Sequence, residues 1–167
     1  FTDFIEKYIP PKKGRKHVLR LIRELLAFEP LGRKTDITQA LDYLNRVQKR
    51  KSVVFLISDL MASGWEKSLR VTNQKHDVVT LVVTDPREME IPPVGLVHFE
   101  DAETGESLIV DTSDSTVRER LAEYARRGME ATTKLLQKLN IDHTRVSTAE
   151  DYLSPLVRLF ERRARSY

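Results

Sequence analysis

The sequence predicts an α/β domain built on a mainly parallel sheet. Two runs rich in β-branched and other apolar residues, 53–57 and 78–83, have the length of strands, and a helical stretch suited to a crossover connection separates them. Both runs are nearly continuous rather than alternating, which predicts strands that are buried on both faces. Helices and strands alternate along most of the chain, as they do in layered α/β domains.

Helical spacing of apolar residues defines three helices around these strands. In residues 15–28 the apolar side chains recur at i, i+3, i+4, i+7 and i+8, and in residues 36–48 they recur at i, i+3, i+4, i+7 and i+10. A third helix is predicted over 65–74, between the two strands. The region before strand 53–57 is therefore expected to be wholly helical apart from its loops.

The second half of the chain predicts a hairpin, a long helix, a strand and a terminal helix. The hairpin comprises 94–99 and 107–111 with a turn through Thr104 and Gly105, and Asp114 or Ser115 can cap the long helix. The last strand is predicted over 141–146 and the last helix over 149–163. Two sets of side chains are expected to face inward: Val117, Leu121, Tyr124, Ala125, Thr132, Leu135, Leu136 and Leu139, then Tyr152, Leu153, Leu156, Val157 and Phe160.

Length and composition indicate a single domain over 1–167, with 94–111 as a hairpin insertion. Hydrophobic residues make up 40% of the chain and charged residues 32%, a globular balance without an apolar run long enough for a membrane span. The chain has no cysteine, which excludes disulfides and thiolate metal sites and fits a cytoplasmic protein. The net charge is only +3, and the basic clusters 12–16, 49–51 and 162–165 lie at predicted helix ends, so we interpret them as solvated and expect no nucleic-acid partner.

Two polar clusters are expected to share one edge of the sheet. Ser58 and Asp59 directly follow the first strand, while Thr35 and Asp36 begin the helix that leads into it. A helix leading into a parallel strand starts at the carboxyl edge of the sheet, where α/β domains bind ligands. Hydroxyl and carboxylate oxygens suit a hard cation such as Mg²⁺. The structural alternative, also open, is that these residues are ordinary helix caps and turn residues.

The stretch "GRKTDITQALDYLNRVQKRKSVVFLISDLMASG" (32–64) resembles von Willebrand factor A-like domains, in which a threonine loop and a strand ending in aspartate help to form a metal-ion-dependent adhesion site. The closer resemblance is to the bacterial domain-of-unknown-function family numbered fifty-eight, in the branch encoded beside MoxR-type AAA+ ATPases. It extends over "FTDFIEKYIPPKKGRKHVLRLIRELLAFEP", "HDVVTLVVTDPREMEIPPVGLVHFEDAETGE" and "STAEDYLSPLVRLFERR".

This resemblance implies a doubly wound, Rossmann-like sheet with helices on both faces. Thr35 and Asp59 match the second and third metal loops, with Ser58 and Asp36 as supporting or capping residues. The family's first metal loop, Asp-x-Ser-x-Ser, would precede Phe1 together with the first strand and helix. We therefore expect an N-terminally truncated domain that binds Mg²⁺ poorly alone. "DTSDS" (111–115) has similar letters but follows the hairpin, so we interpret it as a turn and helix cap.

By the same resemblance the chain is expected to be a non-catalytic, metal-dependent protein-interaction module. It would act with a MoxR-type ATPase in assembling or remodelling complexes, and an acidic residue of a partner would complete the coordination of the cation. Two alternatives remain: a Mg²⁺-dependent phosphohydrolase that uses Asp59, and a structural domain with a decayed metal site. A strand 53–57 without its central neighbour would also have an open edge and could self-associate.

Overall fold

The computed structural model describes residues 1–100 and 107–165. Its elements follow in chain order: α1 (Arg15–Leu26), α2 (Ile37–Val47), β1 (Val53–Ser58), α3 (Glu66–Lys75), β2 (Asp77–Thr84), a 3-10 turn (Pro86–Glu88), β3 (Leu96–Glu100), β4 (Ser107–Asp111), α4 (Ser115–Lys138), β5 (Asp142–Ser147) and α5 (Leu153–Ala164). The predicted helices and strands are all present, and their ends differ from the prediction by a few residues.

The central sheet has three parallel strands in the order β1–β2–β5. Val53 pairs with Asp77 and Ser58 with Val82, so β1 and β2 start together and β2 continues two residues further. This arrangement confirms the α/β class and the parallel β1–α3–β2 unit. β3 and β4 form a separate antiparallel pair.

Helices cover both faces of the sheet. The even-numbered side chains of β1 and β2 join α2, α3 and α4 in the main core, whose buried members are Ile37, Leu41, Leu56, Leu60, Trp65, Leu69, Val78, Val82, Leu136, Leu139 and Ile141. On the opposite face α5 packs against β5 and reaches β1, where the rings of Phe55 and Phe160 lie 6.1 Å apart. Buried Val79 pairs with Phe55 in register and therefore faces the α5 side.

The prediction that β1 is buried on both faces is wrong. Val53, Phe55 and Ile57 keep 57%, 45% and 60% of their surface exposed, while Leu56 between them is buried. Strand β2 does match the prediction, since Val78 and Val82 are buried on one of its faces and Val79 on the other. The difference follows from position: β1 is the outer strand of the described sheet, and α5 reaches only part of it.

The inward faces predicted for α4 and α5 also need correction. Tyr124 is largely exposed on α4, and the buried residue of this helix is Leu136 in its second half. Tyr152, just before α5, is exposed, as are Leu153, Val157 and Phe160 of the helix, and the buried residue is instead Leu159. The helix is thus turned relative to the predicted stripe, and of its exposed apolar side chains Phe160 lies near Phe55 of β1.

The hairpin is closed at its base by Thr112, which is fully buried. Its backbone N–H and its hydroxyl both donate to the carbonyl of Gly95 at 2.8 Å, and the hydroxyl accepts from the N–H of Val94 at 3.1 Å. The strands are antiparallel, as predicted, and the predicted turn through Thr104 and Gly105 lies outside the described residues.

The basic cluster 162–165 is not uniformly solvated, contrary to the prediction. The side chain of Arg163 is only 12% exposed and forms ion pairs with Asp77 at the start of β2 and Asp142 at the start of β5, the latter at 2.6 Å. Arg162 donates to the carbonyl of His143 at 3.2 Å. The end of α5 is therefore bound to the amino edge of the sheet by charged groups.

Helix α1 has no buried residue along its length. It is held by an ion pair between Lys7 and Glu24 and by the ammonium group of Lys7, which lies 5.2 Å from the ring centre of Phe28. Among the described residues, no helix combines the length and apolar character that crossing a bilayer requires.

Candidate functional site

The carboxyl edge of the sheet carries Asp59, which is exposed directly after β1. Its Oδ1 accepts hydrogen bonds from the N–H of Met61 at 3.2 Å and from the hydroxyl of Ser58 at 3.3 Å. The Ser58 hydroxyl oxygen in turn accepts from the N–H of Leu60 at 3.1 Å. Ser58 therefore takes part in the hydrogen bonds that order the turn presenting Asp59.

The turn after Asp59 is tied to the core by Leu60, whose side chain is buried although its φ is +59°. A leucine rarely adopts this left-handed backbone conformation. Leu60 packs in the same cluster as Trp65, whose indole N–H donates to the carbonyl of Ala62 at 2.7 Å. Burial of Leu60 and Trp65 thus anchors the turn on both sides and leaves Asp59 at the surface.

The start of α2 lies beside this turn, as predicted. The hydroxyl of Thr38 donates to the carbonyl of Gly64 at 3.3 Å, and Ile37 packs in the core cluster with Leu60. Asp36 is the N-cap of α2, and its Oδ1 accepts from the N–H of Gln39 at 2.9 Å. The capping interpretation is therefore right for Asp36. Thr35 is half-buried next to it, and the described contacts include no hydrogen bond between Thr35 and Asp59.

Two further carboxylates share the edge with Asp59, and the sequence reasoning missed them. Asp85 follows β2 as Asp59 follows β1, and its Oδ1 accepts from the N–H of Arg87 at 2.9 Å, which starts the 3-10 turn. Partial burial raises the pKa of Glu88 in that turn, and the negative charges of Asp59 and Asp85 raise this pKa further. We call Asp59, Asp85 and Glu88 the acidic edge.

A signal for Asp85 was present in the sequence. Strands 53–57 and 78–83 are adjacent and parallel in the prediction, so the carboxylate after each one falls at the same edge. Glu88 offers no comparable signal, because its position depends on the 3-10 turn that Asp85 caps.

The oxygen donors of the edge fit a hard cation in type but do not complete a site. Carboxylate and hydroxyl oxygens are the ligands that Mg²⁺ uses, and its octahedral shell needs several of them. The described parts of the chain bring together no group of three or more His, Asp or Glu side chains that could hold a metal ion. Any cation at this edge would therefore need ligands beyond those that these residues provide.

The segment 111–115 has the structural role predicted for it. Asp111 accepts from the N–H of Ser113 at 2.9 Å, and Asp114 is the N-cap of α4, where it accepts from the N–H of Thr116 at 2.8 Å. These hydrogen bonds lower the pKa of Asp114, with the backbone N–H of Thr116 as the main cause. The residues form a turn and a cap.

Comparison with known proteins places the chain among uncharacterised bacterial proteins. A family model described as "Protein of unknown function DUF58" matches residues 1–131. An uncharacterised protein of Mycobacterium avium is 28% identical over 160 residues, which cover 94% of each chain. Uncharacterised proteins of Mycobacterium bovis and Mycobacterium tuberculosis are 29% identical over 161 residues, and the chain spans only 50% of their length. No solved structure gives a significant match.

Proposed function

Since the family match covers well over half of its residues, the chain belongs to the DUF58 family, and we propose that it is a non-catalytic protein-interaction module that depends on a divalent cation. The observation that carries this proposal is the exposure of Asp59 at the carboxyl edge, with Asp85 and Glu88 close enough to raise the Glu88 pKa. Repulsion among carboxylates at a surface is relieved when a cation binds them.

The cation we propose is Mg²⁺ or another divalent ion, held by Asp59 and Thr35 with ligands from outside this chain. By the resemblance to von Willebrand factor A-like domains, we propose that those ligands come from a further loop of the natural full-length polypeptide. Two local arrangements support this proposal: Ser58 donates a hydrogen bond to Asp59, and the Asp36 cap starts α2 beside the turn that follows Asp59.

The partner we propose is a protein that offers a carboxylate to the bound cation. The exposed acidic edge would repel an acidic partner without the cation, so binding should require the metal. The resemblance to the branch encoded beside MoxR-type AAA+ ATPases suggests complex assembly or remodelling as the process, with that ATPase as a component.

The test is capture of the MoxR-type ATPase by the natural full-length polypeptide, with Mg²⁺ or with a chelator. We expect capture only with Mg²⁺ and at least a tenfold loss for Asp59→Asn, since one ligand charge is removed. Asp114→Asn is the matched control, because Asp114 is another exposed aspartate and asparagine also caps helices. Capture that survives both chelation and Asp59→Asn would contradict the proposal, and a phosphatase activity that Asp59→Asn abolishes would replace it.

A further inference from the structure

The hairpin of β3 and β4 is a sheet of only two strands in the described part of the chain. Two strands alone are marginally stable in water, and a third strand or a packed face is what stabilises such a sheet. The hairpin lies between β2 and α4 along the chain, apart from the parallel sheet. A strand paired with the outer edge of β1 would extend the parallel sheet and would not add to the hairpin.

The outer edge of β4 has unpaired backbone groups among the described residues. The N–H of Thr112 donates to the carbonyl of Gly95 at 2.8 Å, and the next pair in the register is Leu96 with Asp111. Hydrogen-bonded and non-hydrogen-bonded pairs alternate along an antiparallel ladder. The N–H and C=O groups of Ile109 and Asp111 therefore point away from β3.

The side chains of β4 are apolar and exposed on both faces of the hairpin. Leu108 and Ile109, which project to opposite faces, are 64% and 66% exposed. In β3 the side chain of Val97 is half-buried and that of Phe99 is 38% exposed. An apolar edge strand with unpaired backbone groups readily pairs with a further strand. A further strand is therefore expected at the outer edge of β4.

The charge of this region indicates the kind of strand that would bind. Residues 88–117 contain eight aspartates and glutamates and no lysine or arginine, although the whole chain has a net charge of +3. The hairpin and its flanking loops are therefore strongly acidic. A second copy bound through the same edge would bring two acidic segments together, and nucleic acid or an anionic membrane would be repelled in the same way. A basic segment complements this charge.

The base of the hairpin orders β4 before any partner binds. Thr112 is fully buried, and Arg118 of α4 donates to its carbonyl and to the carbonyl of Ser113, the latter at 2.9 Å. Because the edge is already ordered, binding does not have to supply the entropy cost of ordering it.

We propose that the outer edge of β4 binds an extended segment of a protein partner, as a third strand in which basic residues alternate with apolar residues. The apolar side chains cover Leu108 and Val110 on one face. On the other face the basic side chains lie over Ile109 and pair with Asp111, while the backbone of the segment bonds to the open N–H and C=O groups. This docking needs no cation and is independent of the metal-dependent function proposed above.

Fluorescence anisotropy tests the proposal on the natural full-length polypeptide in the presence of a chelator. The probe is a labelled synthetic peptide of about nine residues in which lysine and valine alternate. We expect saturable binding with a Kd of about 10–100 µM, and binding at least tenfold weaker when glutamate replaces lysine in the peptide. No binding of the lysine peptide at about millimolar concentration, or equal binding of both peptides, would overturn the proposal.

Two proline variants identify the edge. Ile109 and His98 face each other in the register, and both backbone N–H groups point outward, so proline at either position spares the hydrogen bonds between β3 and β4. Ile109→Pro should weaken peptide binding at least tenfold, whereas His98→Pro, on the outer edge of β3, should change the Kd by less than about twofold. Equal weakening by both variants, or none by Ile109→Pro, contradicts binding at β4.

Hydrogen exchange tests the same edge without any substitution. Saturation with the lysine peptide should slow amide exchange at Ile109 and Asp111, because their N–H groups become hydrogen-bonded, and should leave exchange at His98 unchanged. If exchange at Ile109 and Asp111 stays the same while the peptide is bound, the peptide binds elsewhere and the proposal is wrong.

Discussion

Replacing Arg163 with methionine should destabilise the domain more than any other exchange of a cationic residue at its surface. The guanidinium is mostly buried at the end of α5 and pairs with Asp77 and Asp142, which begin two adjacent strands. Methionine keeps much of the apolar stem but removes the charge. The two carboxylates then remain near each other at the amino edge of the sheet without the cation between them.

The expected loss in the free energy of unfolding is about 2–3 kcal/mol. Breaking a buried ion pair by removing one partner costs about 3–5 kcal/mol, because the remaining charge is left desolvated. Here the side chains of Asp77 and Asp142 are 28% and 43% exposed, so water compensates part of that charge. The expected loss therefore lies at or below the lower end of that general range, at about 2–3 kcal/mol.

Urea unfolding at pH 7, followed by far-UV circular dichroism, measures this loss at constant m-value. Repeating Arg163→Met in a chain that carries Asp77→Asn and Asp142→Asn isolates the charge contribution. In that background we expect the loss to fall below about 1 kcal/mol, since no stranded carboxylate remains. An equal loss in both backgrounds would show that Arg163 acts through packing and would refute the electrostatic reasoning.

Three further predictions concern single side chains. Thr80→Val should stabilise the domain by about 1 kcal/mol in the same urea assay. The Thr80 hydroxyl is fully buried and has no hydrogen-bond partner among the described residues, so its removal should be favourable. Lower stability of the variant would contradict this prediction. Asp36→Ala should cost about 1 kcal/mol by removing the α2 cap, whereas Asp36→Asn should cost much less; equal losses would show that the cap hydrogen bond is unimportant. Glu88→Gln should raise stability at pH 7 and lose this advantage in acid. The reason is that the folded-state pKa of Glu88 lies above its ordinary value of 4.5, so that ionisation of Glu88 opposes folding. A pH-independent difference in urea midpoints would count against repulsion at the acidic edge.

The order and type of the elements could be predicted because they follow from local patterns. Periodicity located α1 and α2, and the β-branched runs located β1 and β2. Burial of each face could not be predicted in this way. Val53, Phe55 and Ile57 have the composition of a central strand, yet their exposure depends on which elements stand beside β1. Hydrophobicity alone carries no information about that neighbour.

Only part of the candidate site could be predicted, because only some of its residues lie next to a local sequence signal. Asp59 and the Asp36 cap are adjacent to strong local signals, a strand end and a helix start. The position of Glu88 depends on a 3-10 turn and on the two residues by which β2 extends beyond the end of β1. The ion pairs of Arg163 join residues far apart in the chain, so they become visible only once α5 is placed against the sheet.

The left-handed turn at Leu60 links the surface carboxylate mechanically to the interior. A ligand that pulls on Asp59 must either preserve this backbone conformation or displace Leu60 from its place near Trp65. Trp65 is the only tryptophan of the chain, and it is buried. Trp65 is therefore an intrinsic fluorophore that only Leu60 separates from Asp59 of the acidic edge. We expect its emission to report the binding of a ligand at the acidic edge of the unlabelled protein.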